Sequence, residues 1–325
     1  MGDYGYGYGW GNGYRHGWGN GYGRAALLLI GCSLLTTACE LQEVTLAESD
    51  DVVVAEVVLR AGVLPQHAWL HRTFGTGLLT VPGARIEVTN DAGRTMTFDP
   101  RAATACVDIS GGDSEAGRMG SCYVAGQASS FIPWPGERYT LRITLADGGV
   151  LTGETTIPQP LELTHPAQPN CYLEPDTQLE ITWRPTPGAW VYIAETDLVG
   201  IGAALRQRGI ELARERIRLL GLSISREDTT IVFPAGFGLF DRADPAVAQA
   251  LMAIQGGLPP GVIAHVSIAA ADRNYVNWVR GGQFNPSGAI NVASIRGDGT
   301  GVFGSIVPVR RDIETRRREG LPDCR

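Results

Sequence analysis

Between Asp51 and Ile157 the chain runs in short apolar stretches broken by turn residues, with almost no helical periodicity, which is the pattern of strands. Asp51-Val-Val-Val-Ala-Glu-Val-Val-Leu-Arg60 predicts a β-branched strand, and His67–Thr73, Ala84–Thr89 and Arg94–Phe98 predict three more. Asn90-Asp-Ala-Gly93 turns the last two into a hairpin. Tyr139–Leu145 alternates cleanly and finds its partner in Val150–Ile157 across Ala-Asp-Gly-Gly.

About seven strands at this spacing predict a β-sandwich for the first half of the chain. Pro135-Gly136-Glu137-Arg138-Tyr139 resembles the tyrosine corner of immunoglobulin-like and fibronectin-like domains, where a tyrosine hydroxyl bonds backbone at the start of a strand. Pro158-Gln-Pro160 and His165-Pro-Ala-Gln-Pro169 then mark a linker. Beyond it strands are expected at Gln178–Trp183, Ala189–Ala194, Thr229–Phe233, Val262–Ala270, Ile290–Ile295 and Val302–Val309. Three helices interrupt them. Ile201–Leu220 places Ile210, Ala213, Ile217 and Leu220 on one stripe, with Glu211/Arg214 and Glu215/Arg218 as supporting pairs on the exposed face. A second helix starts at Asp244-Pro245 and stops at Gly256-Gly257, and a third starts at Asp272 and carries Tyr275, Trp278 and Val279. The expected fold is mainly β: an immunoglobulin/fibronectin-like sandwich over 39–158, an α+β domain with about three helices over 159–312, and an Arg-rich tail over 313–325.

The longest apolar run, Ala25–Leu35, has a different pattern. It follows Arg24 and gives way to small residues ending at Ala38-Cys39, the layout of a secretory signal over 24–38. With about 11 apolar positions against the roughly 20 that a spanning helix needs, it cannot cross a bilayer stably. Leu35-Thr36-Thr37-Ala38-Cys39 resembles the lipobox of bacterial lipoproteins, although Thr36 stands where Leu is usual, and Leu29-Ile-Gly-Cys32 is the competing match. Acylation is therefore expected at Cys39, with an ordinary secreted protein as the alternative. Residues 1–23, with Gly at nearly every second place, lack the apolar neighbours for a core and predict disorder.

Composition sharpens this picture. Residues 1–38 carry Arg15, Arg24 and Asp3, a net +1, so the charge of −7 for the chain becomes −8 for the remainder, which argues against nucleic acid as a partner. All 27 basic residues are Arg, which excludes Schiff-base lysine chemistry and a P-loop lysine. Once Cys32 is removed and Cys39 acylated, four cysteines remain, as a disulfide framework in an exported chain requires. Four cysteines allow three pairings: Cys106 and Cys122 flank one Gly-rich loop, so a local bond is expected, which leaves Cys171 for Cys324, with a metal site as the rival reading.

Motifs for chemistry are sparse. Gly299-Thr-Gly-Val-Phe-Gly304 satisfies G-x-G-x-x-G, but the residues after it continue as strand with Pro308 in it, so the helix a dinucleotide needs is missing; a glycine turn before a packed Phe303 is expected instead. His67 and His71, about 13 Å apart on a strand, cannot share one metal ion. His265, with Ser267 on the same face, reads as a core or interface histidine, and Asp244, the neighbour of Asp241, as a helix cap. No catalytic residue, metal or cofactor is assigned. Trp183, Trp190, Tyr275 and Trp278 are the candidate binding aromatics, each with core packing as the competing role.

Asp272-Arg-Asn-Tyr-Val-Asn-Trp-Val279, Phe284-Asn-Pro-Ser-Gly288 and Ser294-Ile-Arg-Gly-Asp-Gly-Thr-Gly-Val-Phe-Gly-Ser305, with Cys39-Glu40 and the strand Val52–Arg60, resemble the signature of a family of uncharacterised bacterial outer-membrane lipoproteins. The resemblance implies a lipid-anchored envelope protein, often encoded beside TonB-dependent receptors, whose expected part is assistance in ligand uptake. The expectation is a non-enzymatic binding or accessory module held to the membrane through Cys39. An envelope hydrolase with residues scattered in sequence and a structural or adhesive surface protein are the alternatives.

Overall fold

The structure is a computed structural model that describes residues 51–73, 79–109, 120–126, 131–212, 214–223, 225–239, 245–281 and 292–325. The Gly/Tyr tract, the signal segment, Cys39, Asp241, Asp244 and the Asn285-Pro286 turn lie outside them. The chain runs through β1 (Val53–Arg60), β2 (Gln66–Arg72), β3 (Arg85–Asn90), β4 (Thr95–Arg101), β5 (Ser121–Ala125), β6 (Arg138–Thr144) and β7 (Val150–Thr156). Next come β8 (Leu163–His165), β9 (Asn170–Tyr172), β10 (Leu179–Trp183), β11 (Val191–Val199), α1 (Ile201–Arg206), β12 (Arg216–Leu222), β13 (Thr230–Phe233) and β14 (Gly238–Leu239). Then α2 (Pro245–Ile254), β15 (Ile263–Ala271), α3 (Arg273–Gly281), β16 (Ile295–Gly297) and β17 (Gly299–Glu314) complete it.

The fold is mainly β, with one large sheet and, among the described residues, three α-helices. Its strand order is β14-β12-β11-β15-β17-β1-β2-β5-β4-β3-β6-β7-β16, with β9 also beside β17; β13-β10-β8 form a second, small sheet. The long path folds back at β4, whose first residues pair with β3 and whose last three pair with β5. This brings β7 over β17, so close that a Cβ on Gly153 would lie 3.1 Å from that of Phe303. Pairing crosses the linker expected at residues 158–160, since β1 runs parallel to β17 over eight residue pairs and β16 pairs with β7. One continuous core follows, from Leu59, Ile86, Leu141 and Phe303 to Trp183, Tyr192, Phe233 and Ile268. Each such side chain contributes about 1.5–3 kcal/mol by leaving water.

Three tyrosines supply the backbone bonds that turns would otherwise lack. The Tyr139 hydroxyl accepts the Trp134 N–H at 2.8 Å and donates to Glu137, the corner geometry expected from Pro135-Gly136. Tyr192 repeats the device after Pro187-Gly188, accepting the Thr186 N–H at 2.7 Å. Tyr123 accepts from Ala84 and donates to the Val81 carbonyl. Burial, aided by the hydrogen bond to Glu137, pushes the Tyr139 phenol above its ordinary range, so it stays a neutral donor.

Four local expectations are corrected. The helix over Ile201–Leu220 stops at Arg206, because Gly209, with φ +75°, closes it in a Schellman motif: Ile210 N–H reaches the Leu205 carbonyl and Gly209 N–H that of Arg206. Arg216–Leu222 is instead a strand beside β11, its Arg/apolar alternation having been taken for a helical stripe, and Glu215 pairs with Arg206. The strand over Ile290–Ile295 begins only at Ile295 within the described residues. The glycines of Gly299–Gly304 lie inside β17 rather than in a turn, because β1 and α3 approach its backbone directly. The C-terminal segment is tied down, with Arg318 paired to Glu314 and the Arg317 guanidinium 4.3 Å from the Tyr172 ring.

Both cysteine pairs are bonded, Cys106–Cys122 beneath Trp69 and Cys171–Cys324 across 153 residues of chain. Loop-closure entropy gives the longer one the larger effect: Cys171→Ala/Cys324→Ala should lower unfolding stability by about 5 kcal/mol and Cys106→Ala/Cys122→Ala by about 3 kcal/mol in urea titrations. Gly304→Val should cost about 2–3 kcal/mol in the same assay, because a Cβ there meets Tyr275 Cβ at 2.8 Å and its backbone N at 2.9 Å. Wild-type stability of that variant would refute the close packing of α3 on β17.

Candidate functional site

The four candidate aromatics do not form one cluster. Trp183 is buried at the end of β10, its Nε1–H donating to the Asp228 carbonyl at 3.0 Å and its ring tilted onto Tyr192 at 5.1 Å. Trp190, in the turn before β11, is 45% exposed, with the Arg273 guanidinium 4.9 Å from its ring. Tyr275 and Trp278 sit half-buried on α3. Desolvation raises the Tyr275 phenol above its ordinary range, with the Glu195 carboxylate adding and Arg60 opposing, and the crevice it shares with Glu195, Ser267 and Pro308 holds about 10 Å³, room for no more than a water.

Trp183 and Tyr192 instead line a cavity of about 160 Å³ between the small sheet and β11, together with Ala194, Ser223, Asp228, Thr230, Ile231 and Gly236. The strand carrying Tyr192 and Ala194 was expected from the sequence, but β10 and β13 are brought to it only by tertiary packing, so Asp228 carried no sequence signal.

A second set of aromatics gathers at one end of the large sheet. Trp134 is 63% exposed and Ile132 47%, beside the turn that holds Leu64 and Pro65. Backbone bonds link this end step by step: Trp190 N–H to Ala271, Ala271 opposite Ile306, Ala61 N–H to Ile306, and Gly62 N–H to Pro133. Four strand spacings make that path about 19 Å long. A Trp directly ahead of a Pro-Gly turn was the one local signal for Trp134, whose exposure the turn sequence alone does not decide: Thr186 holds the same place before Pro187-Gly188 and is buried.

Among the described acidic groups, Asp272 is buried in a structural network and Asp312 is paired on the surface. Asp272 caps α3: its Oδ1 accepts the N–H groups of Tyr275 at 2.9 Å and Ser305 at 3.1 Å, and its Oδ2 accepts the Thr155 hydroxyl at 2.5 Å. Asn274 donates to the carbonyls of Glu154 and Phe303, so the start of α3 is bolted to β7 and β17. His265, expected in a core or interface, is exposed on β15 and pairs with Asp312 at 2.8 Å. A strand on a sheet with one solvated face turns alternate residues to water, which accounts for the difference. Among the described residues no group of three or more His, Cys, Asp and Glu side chains is placed to hold a metal ion.

Compared with protein-family models, the chain matches none, and no curated protein matches it.

Burial raises the Asp272 carboxyl above its ordinary value, and its hydrogen bonds with Thr155, Tyr275 and Ser305 offset this in part. The folded protein then holds a proton that the unfolded chain has released, so stability falls as pH rises from the ordinary carboxyl value through the raised one. Asp272→Asn should abolish this slope, with wild type gaining on the variant as pH falls from neutral into the acid range. Parallel stability curves in a pH series of urea titrations would contradict it.

Proposed function

We propose that the protein is a lipid-anchored cell-envelope lipoprotein, acylated at Cys39 and facing the periplasm or the surface from the outer membrane, that acts as a binding or accessory module. The observation that carries this reading is the apolar end of the large sheet, where Ile132, Trp134 and Trp190 stand exposed with Leu64 half-buried beside them. Exposed tryptophans and apolar turns are costly to leave in water and are the residue types that anchor protein interfaces. Val53 opens β1 opposite Gly299, and β1 ends at Arg60 beside Ile306, under the aromatic end, about 25 Å along the strand. On this reading the partner is a protein, with a TonB-dependent receptor the one that the resemblance suggests. The finer architecture belongs to the same proposal: an immunoglobulin/fibronectin-like sandwich over 39–158, a reading supported by the Tyr139 corner.

Pull-down from detergent-solubilised envelopes tests the reading. The wild-type protein should capture a discrete membrane protein, and Trp134→Ala/Trp190→Ala should weaken that capture by about thirtyfold, as the loss of one interface hot spot does. Cys39→Ser should move the protein out of the membrane fraction. Unchanged capture by the tryptophan variant, or firm sedimentation of the serine variant, would overturn the proposal.

A further inference from the structure

We propose that the partner protein meets the apolar end with a carboxylate, and that the guanidinium of Arg273 is the group that receives it. The inference rests on the reading of that end as a protein-binding surface and adds the chemistry of what it binds. Its origin is local. Asp272 follows β15 and caps α3, so its carboxylate turns inward to the N–H groups of Tyr275 and Ser305 and to the Thr155 hydroxyl, and Arg273 is left exposed at the first position of the helix. Trp190 donates its N–H to the carbonyl of Ala271, one residue before the cap, which brings its half-exposed indole under the Arg273 guanidinium, 4.9 Å from the ring centre.

The charges around the tryptophans are unevenly matched. Asp91 is engaged by Arg138 at 3.1 Å, and Glu137 accepts the Tyr139 hydroxyl at 2.5 Å. Arg94, exposed in the β3–β4 turn, lies 5.2 Å from the centre of the Phe131 ring, next to Ile132. Among the described residues neither Arg94 nor Arg273 is in an ion pair, and the residues 127–130 and 282–291, which adjoin Phe131 and α3 in the chain, contain no Asp or Glu. An aromatic face holds a guanidinium in place without neutralising it, so its N–H donors remain for a carboxylate, which can meet their fork with two bonds. Trp and Arg are also the residue types on which interface energy concentrates. A lipid phosphate would fit the same fork, but an anionic bilayer meets the whole molecule, whose net charge is −7. A protein carboxylate meets Arg273 alone, because physiological salt confines the field to about 8 Å.

The composition of the chain supplies the test. It has no lysine, so Arg273→Lys gives it a single side-chain amine, which a zero-length carbodiimide joins to a carboxylate in direct contact. The probe is the detergent-solubilised envelope, with the full-length protein as bait and two blanks: wild type, and Arg85→Lys at the start of β3, the end of that strand away from Tyr139. Arg273→Lys should form a cross-link to an Asp or Glu side chain of the captured protein, read by mass spectrometry, and the blanks should form none. Arg273→Glu should weaken capture at least about tenfold and Arg273→Gln less, while added salt should weaken wild type more than Arg273→Gln. Circular dichroism and thermal midpoint confirm the fold of each variant. A protein whose capture depends on Trp134 and Trp190 but which gives no cross-link to Arg273→Lys, or which Arg273→Glu captures as wild type does, overturns this inference and leaves the protein-binding reading standing. Absence of any tryptophan-dependent capture overturns both. Binding of the unacylated Cys39→Ser protein to phosphatidylglycerol vesicles that is lost in Cys39→Ser/Arg273→Glu would assign the guanidinium to lipid and overturn the inference as well.

Discussion

The structure depends on how closely other backbone can approach β17. This sixteen-residue strand lies beside β1 along its first half and β15 along its second, takes β9 on its last residues, and is covered by β7 and α3. Any Cβ at Gly301 would meet the Ala55 carbonyl oxygen at 2.0 Å, and one at Gly304 would meet the helix backbone at Tyr275. Glycine here costs conformational entropy, and the contact it permits offsets that cost because β17 then joins elements 250 residues apart into one core. The same three glycines that mimic a nucleotide fingerprint are therefore explained by packing alone.

Polar groups follow from that closeness. With β7, β17 and the start of α3 pressed together, Thr155, Ser305, Asp272 and Asn274 lose water and must satisfy each other, which they do through side-chain and backbone bonds. The tyrosine corners do the same work at the turns. Those around Gly136 and Gly188 both abut Pro158: Gly136 N–H bonds its carbonyl, and a Cβ on Gly188 would lie 3.3 Å from its Cα. The proline-rich segment between the two halves is accordingly gripped from both sides, and its extended backbone serves as a wall for two turns.

Function is read from what this packing leaves uncovered. The turns that bury Tyr139 and Tyr192 lift Trp134 and Trp190 into solvent at one end of the sheet, while the meeting of the small sheet with β11 leaves a recess beside Trp183. Both features are consequences of where small residues and Pro-Gly turns fall. They differ in character: the end exposes apolar side chains, whereas the recess is lined by two largely buried rings and small residues.

Much of this was legible in the order of residues. Short apolar and alternating runs located β1 to β4, β6 and β7 within a few positions but not β5, and Asp272 announced α3 because a carboxylate before a helical stripe satisfies orphan N–H groups locally. The number of cysteines predicted a disulfide framework, and of its three possible pairings the structure has the expected one. Such features are settled within a few residues or by simple exclusion. What only the tertiary structure decided was long-range: that Arg216–Leu222 is a strand, since alternation and a short helical stripe coincide until a partner strand chooses; that the sheet spans both halves; and that Asp228 stands beside Trp183 and Tyr192. Pairing between distant segments has no local signature, because the free energy that selects it arises only when both partners leave water together.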